Sequence, residues 1–127
     1  MLLQDFYHIN YQLSNTIGHK RFCLSFKSQH PIFEAHFPQR PIVPGVCTIE
    51  VIRQLICQMS KAELTIIEIS NVKFLDIMVP DKDKFYLFDI ALTVDDYGNY
   101  IAKVNVTSED DVQCYTKLSM KLSTNSL

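Results

Sequence analysis

A histidine and a glutamate that could share acid–base chemistry lie in one short segment, His36 on a proline-rich approach and Glu50 in an apolar helical pattern. Such a pair can divide base and acid work when the surroundings separate the two pKa values. Burial among apolar neighbours is expected to raise the pKa of Glu50, toward an acid that donates a proton near neutrality. Two alternatives stay open, a packed or surface His36 and a structural ion pair of Glu50 with Arg53 or Arg40.

Two more positions could complete such a site. Gln54, one helical turn beyond Glu50, could hydrogen-bond its carboxyl group and hold its rotamer. Gly45 lies at the predicted helix start, where backbone N–H groups lack intrahelical partners and carry a partial positive charge. A thioester or ester carbonyl placed there would be polarised, and the missing side chain of Gly45 would let a substrate come close.

The elements that must position these residues follow from periodicity. Residues 30–44 contain four prolines, which predict a stiff, extended approach. A helix is predicted from Gly45 to about Ala62. It is apolar around most of its girth, so we expect other structure to enclose it.

Most of the remaining chain is predicted to form strands. Apart from one predicted strand, residues 1–29 are expected to be a short part of mixed secondary structure. Alternation of apolar and polar residues predicts a strand around Phe22–Phe26, another over Ile66–Leu75, and a three-strand antiparallel meander over 86–94, 100–107 and 112–122. Turns are expected at 95–99, where Gly98 can take a positive φ, and at 108–111. These elements predict an α+β fold in which the helix lies against a curved sheet.

Composition narrows the class of protein. The length of 127 residues suits one domain spanning 1–127, and 47% hydrophobic with 20% charged residues is a globular composition. A net charge of −2 without a basic patch disfavours nucleic-acid binding, and three glycines without a phosphate loop disfavour nucleotide chemistry.

The cysteines and the termini add further expectations. The four cysteines are scattered without zinc-site spacing, so we expect no metal and no disulfide framework. Neither a signal peptide nor a membrane-spanning stretch is recognised, and we therefore expect a cytoplasmic protein that does not enter membranes.

The segment 33-FEAHFPQRPIVPGVCTIEVIRQ-54 resembles the signature of the FabZ-type 3-hydroxyacyl-[acyl-carrier-protein] dehydratases, which have the hotdog fold. About a dozen positions agree in register, and 72-VKFLDIMVP-80 is similar to a later segment of that family. The chain departs from the family pattern at Ala35, which replaces a glycine, at Leu75–Asp76, and at Pro80–Lys82, where a glycine is lost.

The resemblance implies a hotdog fold, a curved antiparallel sheet wrapped around one long central helix, and a role for each site residue. His36 would take the proton from C2 of a (3R)-3-hydroxyacyl thioester, and Glu50 would protonate the departing 3-hydroxyl group. Gly45, with Val46 beside it, would bind and polarise the thioester carbonyl. Gln54 would orient Glu50.

The resemblance also implies partners. The substrate would arrive on acyl carrier protein, and no cofactor is expected. In that family His and Glu of one site come from different subunits, so a homodimer or a trimer of dimers is expected. The product would be a trans-2-enoyl thioester for fatty-acid or specialised polyene or polyketide-like synthesis. Two alternatives remain, a hotdog acyl thioesterase and a non-catalytic hotdog subunit that binds acyl carrier protein or an active partner.

Overall fold

The computed structural model of this chain describes residues 3–35 and 38–124, which form six strands and two helices. In chain order the elements are β1 (Tyr7–Thr16), β2 (His19–Phe26), α1 (Pro31–Ala35), α2 (Gly45–Ser60), β3 (Thr65–Phe74), β4 (Tyr86–Val94), β5 (Tyr100–Ser108) and β6 (Cys114–Ser123). The predicted meander is therefore confirmed as β4, β5 and β6. The turn between β4 and β5 places Gly98 at φ 81°, as expected.

The strands form one sheet in the order β1-β2-β4-β5-β6-β3, and every neighbouring pair is antiparallel. Register shifts interrupt the pairings of β1 with β2, of β3 with β6 and of β5 with β6. Such bulges bend a strand and increase its twist. In this order β1 and β3 are the two edges of the sheet. Strand β3 follows α2 in the chain and pairs with β6.

The long helix α2 provides the centre of the hydrophobic core. Its buried residues recur at helical spacing and pack with the apolar face of the strands. The buried residues of the helix are Cys47, Thr48, Val51, Ile52, Leu55 and Ile56. On the sheet the alternating residues Ala102, Val104 and Val106 of β5 are buried, which agrees with the predicted inside face.

The sheet encloses α2 as expected on its buried face, but the enclosure is incomplete in this single chain. Val46 is 58% exposed, and Glu50, Arg53 and Gln54 are only partly buried. The helix also ends earlier than expected, at Ser60. Lys61 has a left-handed conformation, φ 55° and ψ 38°, and its N–H donates to the carbonyl of Cys57, which closes the helix.

The sequence predicted an extended proline-rich approach. The structure differs, because α1 occupies the start of this segment. Pro31 sits at the first helical position, where its missing N–H costs nothing. The Nδ1 atom of His30 accepts the N–H of Ile32 at 3.1 Å. Phe33 is buried and stacks on Phe6, with ring centroids 5.2 Å apart. Local capping and aromatic packing therefore favour a helical turn here.

Strand β1 was not recognised in the sequence. Its register with β2 shifts between Ile9 and Tyr11 and again between Ser14 and Thr16. Each shift breaks the period-two pattern by which a strand is recognised. An edge strand with interrupted alternation resembles an irregular segment in sequence.

The expectation of unpaired cysteines agrees with the structure, and the expectation that they are buried holds for two of the four. Cys23, Cys47, Cys57 and Cys114 are free, and the first two are buried, as small hydrophobic residues would be. Within residues 3–35 and 38–124, no helix has the length and apolar character needed to cross a membrane.

Candidate active site

The approach to the helix is anchored immediately before the predicted site. His36 lies outside the described residues. Beyond it the backbone N–H of Val43 donates to the carbonyl of Met78 at 2.8 Å, which ties the approach to the segment after β3. Pro44 is extended, with φ −63° and ψ 146°, and is the N-cap residue of α2. The chain therefore enters the helix from a fixed direction.

The first turn of α2 has no side-chain cap. The carbonyl of Pro44 accepts the N–H groups of Cys47 and Thr48 at 3.0 and 3.1 Å, and proline offers no side-chain acceptor to the first N–H groups of the helix. Gly45 and Val46 occupy that turn, so the predicted carbonyl-binding position lies at a helix N-terminus.

The space beside Gly45 is not open, contrary to the sequence-based expectation. A Cβ atom built on Gly45 would lie 2.9 Å from Cζ of Phe74, closer than real contacts allow. The ring of Phe74, from the end of β3, thus covers the side-chain position of this glycine. The ring of Phe74 fits here because Gly45 has no side chain. A substrate would have to displace that ring or reach the backbone N–H of Gly45 from another direction.

Glu50 forms a fork-to-fork ion pair with Arg53, the residue one turn further along α2. The Nε atom of Arg53 lies 2.8 Å from Oε1 and 3.2 Å from Oε2 of Glu50, and Nη2 lies 3.0 Å from Oε2. The two side chains are only 15% and 22% exposed, for Glu50 and Arg53 respectively. Bidentate pairs of this kind are stronger and more directional than single contacts.

The ion pair reverses the expected pKa shift of Glu50. Burial acts to raise the pKa of Glu50, but the hydrogen bonds and the positive charge of Arg53, with a hydrogen bond from Gln54, hold it below its ordinary value. Glu50 is therefore a carboxylate near neutrality in this structure. The structural ion pair with Arg53, one of the two alternatives left open by the sequence, is the arrangement found.

Gln54 connects Glu50 to the edge strand β1. Its Nε2 atom donates to Oε2 of Glu50 at 3.2 Å, and its Oε1 atom accepts the hydroxyl of Tyr7 at 3.0 Å. The two contacts fix which end of the amide faces the carboxylate. The structure thus contains the contact expected between Gln54 and Glu50. Burial and the nearby charge of Glu50 raise the pKa of Tyr7 and keep its hydroxyl a donor.

Tyr7 is a site neighbour that sequence reasoning missed, because β1 itself was not recognised. The only signal was an aromatic residue with a polar handle in a segment without clear periodicity. Tyr7 pairs with Phe26 across β1 and β2, and this register directs the side chain of Tyr7 toward α2.

A cavity of about 1010 Å³ lies elsewhere, against the outer residues of β1 and the loop after β2. Its lining includes His8, Asn10, Lys27, His30 and Lys82, and among the described site residues it includes none of Gly45, Val46, Glu50 and Gln54. The substrate site expected around Glu50 is therefore not this cavity.

The six-stranded antiparallel sheet and its single long helix define the hotdog fold, and solved structures confirm it. The dehydratase heterocomplex ApeI:P from Xenorhabdus doucetiae superimposes with a TM-score of 0.71 at 18% identity, covering 91% of this chain and 96% of that chain. A Streptococcus mutans protein bound to acetyl-CoA gives 0.66 at 14% identity, covering 91% and 87%. A dehydratase domain of the curacin polyketide synthase gives 0.54 at 13%, covering 91% of this chain and 41% of that chain.

The family model of the ApeI-like proteins, described as ApeI dehydratase, matches residues 13–116. The chain belongs to the ApeI-like dehydratase family. A comparison with curated protein sequences gives no match.

Proposed function

We propose that this protein dehydrates a (3R)-3-hydroxyacyl thioester, carried by acyl carrier protein, to the trans-2-enoyl thioester, in the manner of FabZ-type enzymes. The observation that supports it best is Glu50. This carboxylate lies on the largely apolar helix α2 of a dehydratase-family chain, with its rotamer held by Gln54 and Arg53. Catalytic carboxylates need this kind of support from their neighbours.

In the proposed reaction a base removes the C2 proton, the C2–C3 double bond forms, and the 3-hydroxyl group leaves with a proton as water. We assign the base to His36, as the resemblance implies, and place Glu50 at the departing hydroxyl. The uncapped N–H groups of Gly45 and Val46 would polarise the thioester carbonyl, which makes C2 more acidic. This binding requires Phe74 to yield the space beside Gly45.

We further propose that the active unit contains two or more hotdog subunits, as a homodimer or a trimer of dimers. The edge strand β3 is almost entirely exposed in the single chain, and it carries and is followed by large apolar residues. These are Ile67, Val72, Phe74, Leu75 and Ile77. Exposed apolar residues on an unpaired edge favour association with another subunit. The similar Xenorhabdus dehydratase is a heterocomplex, so the partner could be a second hotdog chain.

One observation favours a second candidate function, a non-catalytic hotdog subunit that pairs with an active partner. A carboxylate engaged by both nitrogens of an arginine fork is also what a purely structural ion pair looks like. Under this alternative Glu50 stabilises α2 and takes no part in chemistry.

An assay with a crotonyl thioester separates these functions. Hydration of the enone lowers its ultraviolet absorbance without releasing thiol, hydrolysis releases free thiol, and binding alone does neither. The proposed function predicts hydration, and dehydration of the (3R)-3-hydroxybutyryl thioester in the reverse direction. Thiol release at a rate above hydration would indicate a thioesterase. The absence of both reactions, with the thioester bound, would support the non-catalytic subunit.

A further inference from the structure

Arg53 is held in place from the side opposite to Glu50. Its Nη1 atom donates to the backbone carbonyl of Leu64 at 2.9 Å and to Oε1 of Glu63 at 3.0 Å, and lies 3.4 Å from Sγ of Cys57. A backbone carbonyl just before β3 is a rigid acceptor. The guanidinium group is thus fixed between the start of β3 and the carboxylate, and is not a freely moving surface side chain.

We propose that Arg53 is a positioning residue that keeps Glu50 ionised and in one rotamer, so that Glu50 serves the reaction as a hydrogen-bond acceptor and not as a proton donor. This inference rests on the proposed dehydratase function. It changes the part played by Glu50, because the resemblance alone assigns it the role of general acid.

The proton balance of the reaction then has a definite form. Neutral His36 takes the proton from C2 as the C2–C3 double bond forms, and the same proton passes from the imidazolium to the oxygen as the C3–O bond breaks. Water leaves and both side chains return to their starting charges. The carboxylate of Glu50 accepts a hydrogen bond from the 3-hydroxyl group and orients it, while Arg53 supplies the charge that keeps this acceptor ionised.

The groups around Glu50 agree with this role. In the part of the chain that the structure describes, α2 contributes Arg53 and Gln54, and β1 contributes Tyr7 through Gln54. Glu63 and Cys57 contact Arg53 on its other side. Arg53 is the cation among these groups, and both Arg53 and Gln54 direct donors at the carboxylate, which favours its charged form.

Removing Arg53 gives opposite outcomes for an acceptor and for a proton donor. Without the guanidinium group the pKa of Glu50 should rise, since burial remains and the opposing charge is lost. If the carboxylate is the active form, the loss of activity in acid moves to higher pH. On that limb each unit of pKa rise lowers the rate about tenfold. If the protonated acid is the active form, the alkaline limb moves to higher pH and activity near neutrality increases.

The experiment measures kcat and kcat/KM against pH for wild type, Arg53→Met and Arg53→Lys, with a (3R)-3-hydroxybutyryl thioester. We expect the acid limb of kcat in Arg53→Met to lie at a higher pH than in wild type, with a loss of about tenfold in rate on that limb for each unit of the shift. Arg53→Lys keeps the cation but loses the fork, so its profile should lie between the two. If Arg53→Met does not fold, Arg53→Lys against wild type carries the test.

Arg21→Met is the matched control, because Arg21 also bonds a partly buried carboxylate, Asp89 at 2.7 Å, on strands remote from Glu50 in the chain. This variant should leave the pH profile of catalysis unchanged. An alkaline limb that moves up in Arg53→Met, or a profile identical to that of wild type, would overturn the proposal.

A second measurement separates failure of this inference from failure of the proposed function. Carbon-13 NMR of labelled glutamate follows the titration of Glu50 without any turnover. An inactive wild type would refute the dehydratase function alone. If Glu50 titrates at the same pH in wild type and in both Arg53 variants, Arg53 does not control its charge, whatever the enzyme activity.

Discussion

At the scale of single residues, the charge of Glu50 is decided by a competition between burial and Arg53. Both were visible in the sequence, and burial alone predicted a raised pKa. The structure brings the arginine fork to 2.8 Å because the other side of the guanidinium group is held by Leu64 and Glu63. Those anchors come from the loop before β3, and their placement depends on the tertiary fold.

The same ion pair predicts how stability responds to acid. Because the pKa of Glu50 lies below its ordinary value of 4.5 in the folded chain, the unfolded chain binds more protons there in acid. The stabilisation is complete above pH 4.5 and is lost as pH falls through the folded value. Glu50→Gln should therefore cost about 1–3 kcal/mol of unfolding free energy at pH 7. Urea unfolding from pH 7 to pH 3 should show the difference from wild type shrinking, and a constant difference would contradict the ion pair.

At the scale of elements, the sequence predicted best where alternation or helical spacing was uninterrupted. Helix α2 and the meander β4–β6 follow such patterns and were placed within a few residues. Strand β1 and helix α1 were missed for different physical reasons. Bulges interrupt the alternation of residues in β1. Helix α1 depends on His30 as a cap and on aromatic packing with Phe6. Neither the bulges of β1 nor these contacts of α1 can be recognised from the spacing of apolar and polar residues.

The junction of α2 and β3 supports a prediction about Gly45. Because the ring of Phe74 occupies its side-chain position but is 52% exposed and can rotate away, Gly45→Ala should lower stability by at most about 1 kcal/mol. Phe74→Ala makes room, so Gly45→Ala should cost much less in that background. Thermal or urea unfolding of the four proteins in this cycle gives the coupling energy. Additive effects would show that Phe74 does not cover Gly45 in solution.

The Gly45 cycle also bears on catalysis. If the N–H groups of Gly45 and Val46 bind the thioester carbonyl, Phe74→Ala should retain activity or lower KM by clearing the approach. Phe74→Leu is the control, since it keeps an apolar side chain that still fills part of the space. A loss of kcat in Phe74→Ala without loss of stability would instead make the ring part of the substrate-binding surface.

At the scale of the whole molecule, the apolar surfaces that stay exposed in the described part of the single chain include the strand β3 and the face of α2 at Val46. The sequence pointed to this indirectly, because a helix apolar around most of its girth needs more cover than one sheet supplies. Periodicity does not identify what covers these surfaces, because it describes only the faces of this chain's own elements.

A subunit-mixing experiment tests whether the site is shared between chains. His36→Ala and Glu50→Gln should each be inactive alone. When they exchange subunits, heterodimers would contain one site with both residues intact, and activity should recover to about a quarter of wild type if exchange is random. Mass spectrometry of differently labelled subunits is the check on exchange. Proven exchange without recovery would mean that each site uses residues of one chain only.

The most direct test of the account is the turnover of a (3R)-3-hydroxyacyl thioester by wild type, His36→Ala and Glu50→Gln at pH 7, each verified as folded. His8→Ala and Asp96→Asn, both on exposed positions, are the matched controls. We expect dehydration by wild type and by both controls, and a loss of about 10²–10⁴-fold in kcat for the two site variants. Wild-type turnover by either His36→Ala or Glu50→Gln would contradict the proposed mechanism, and the absence of dehydration by wild type would contradict the proposed function.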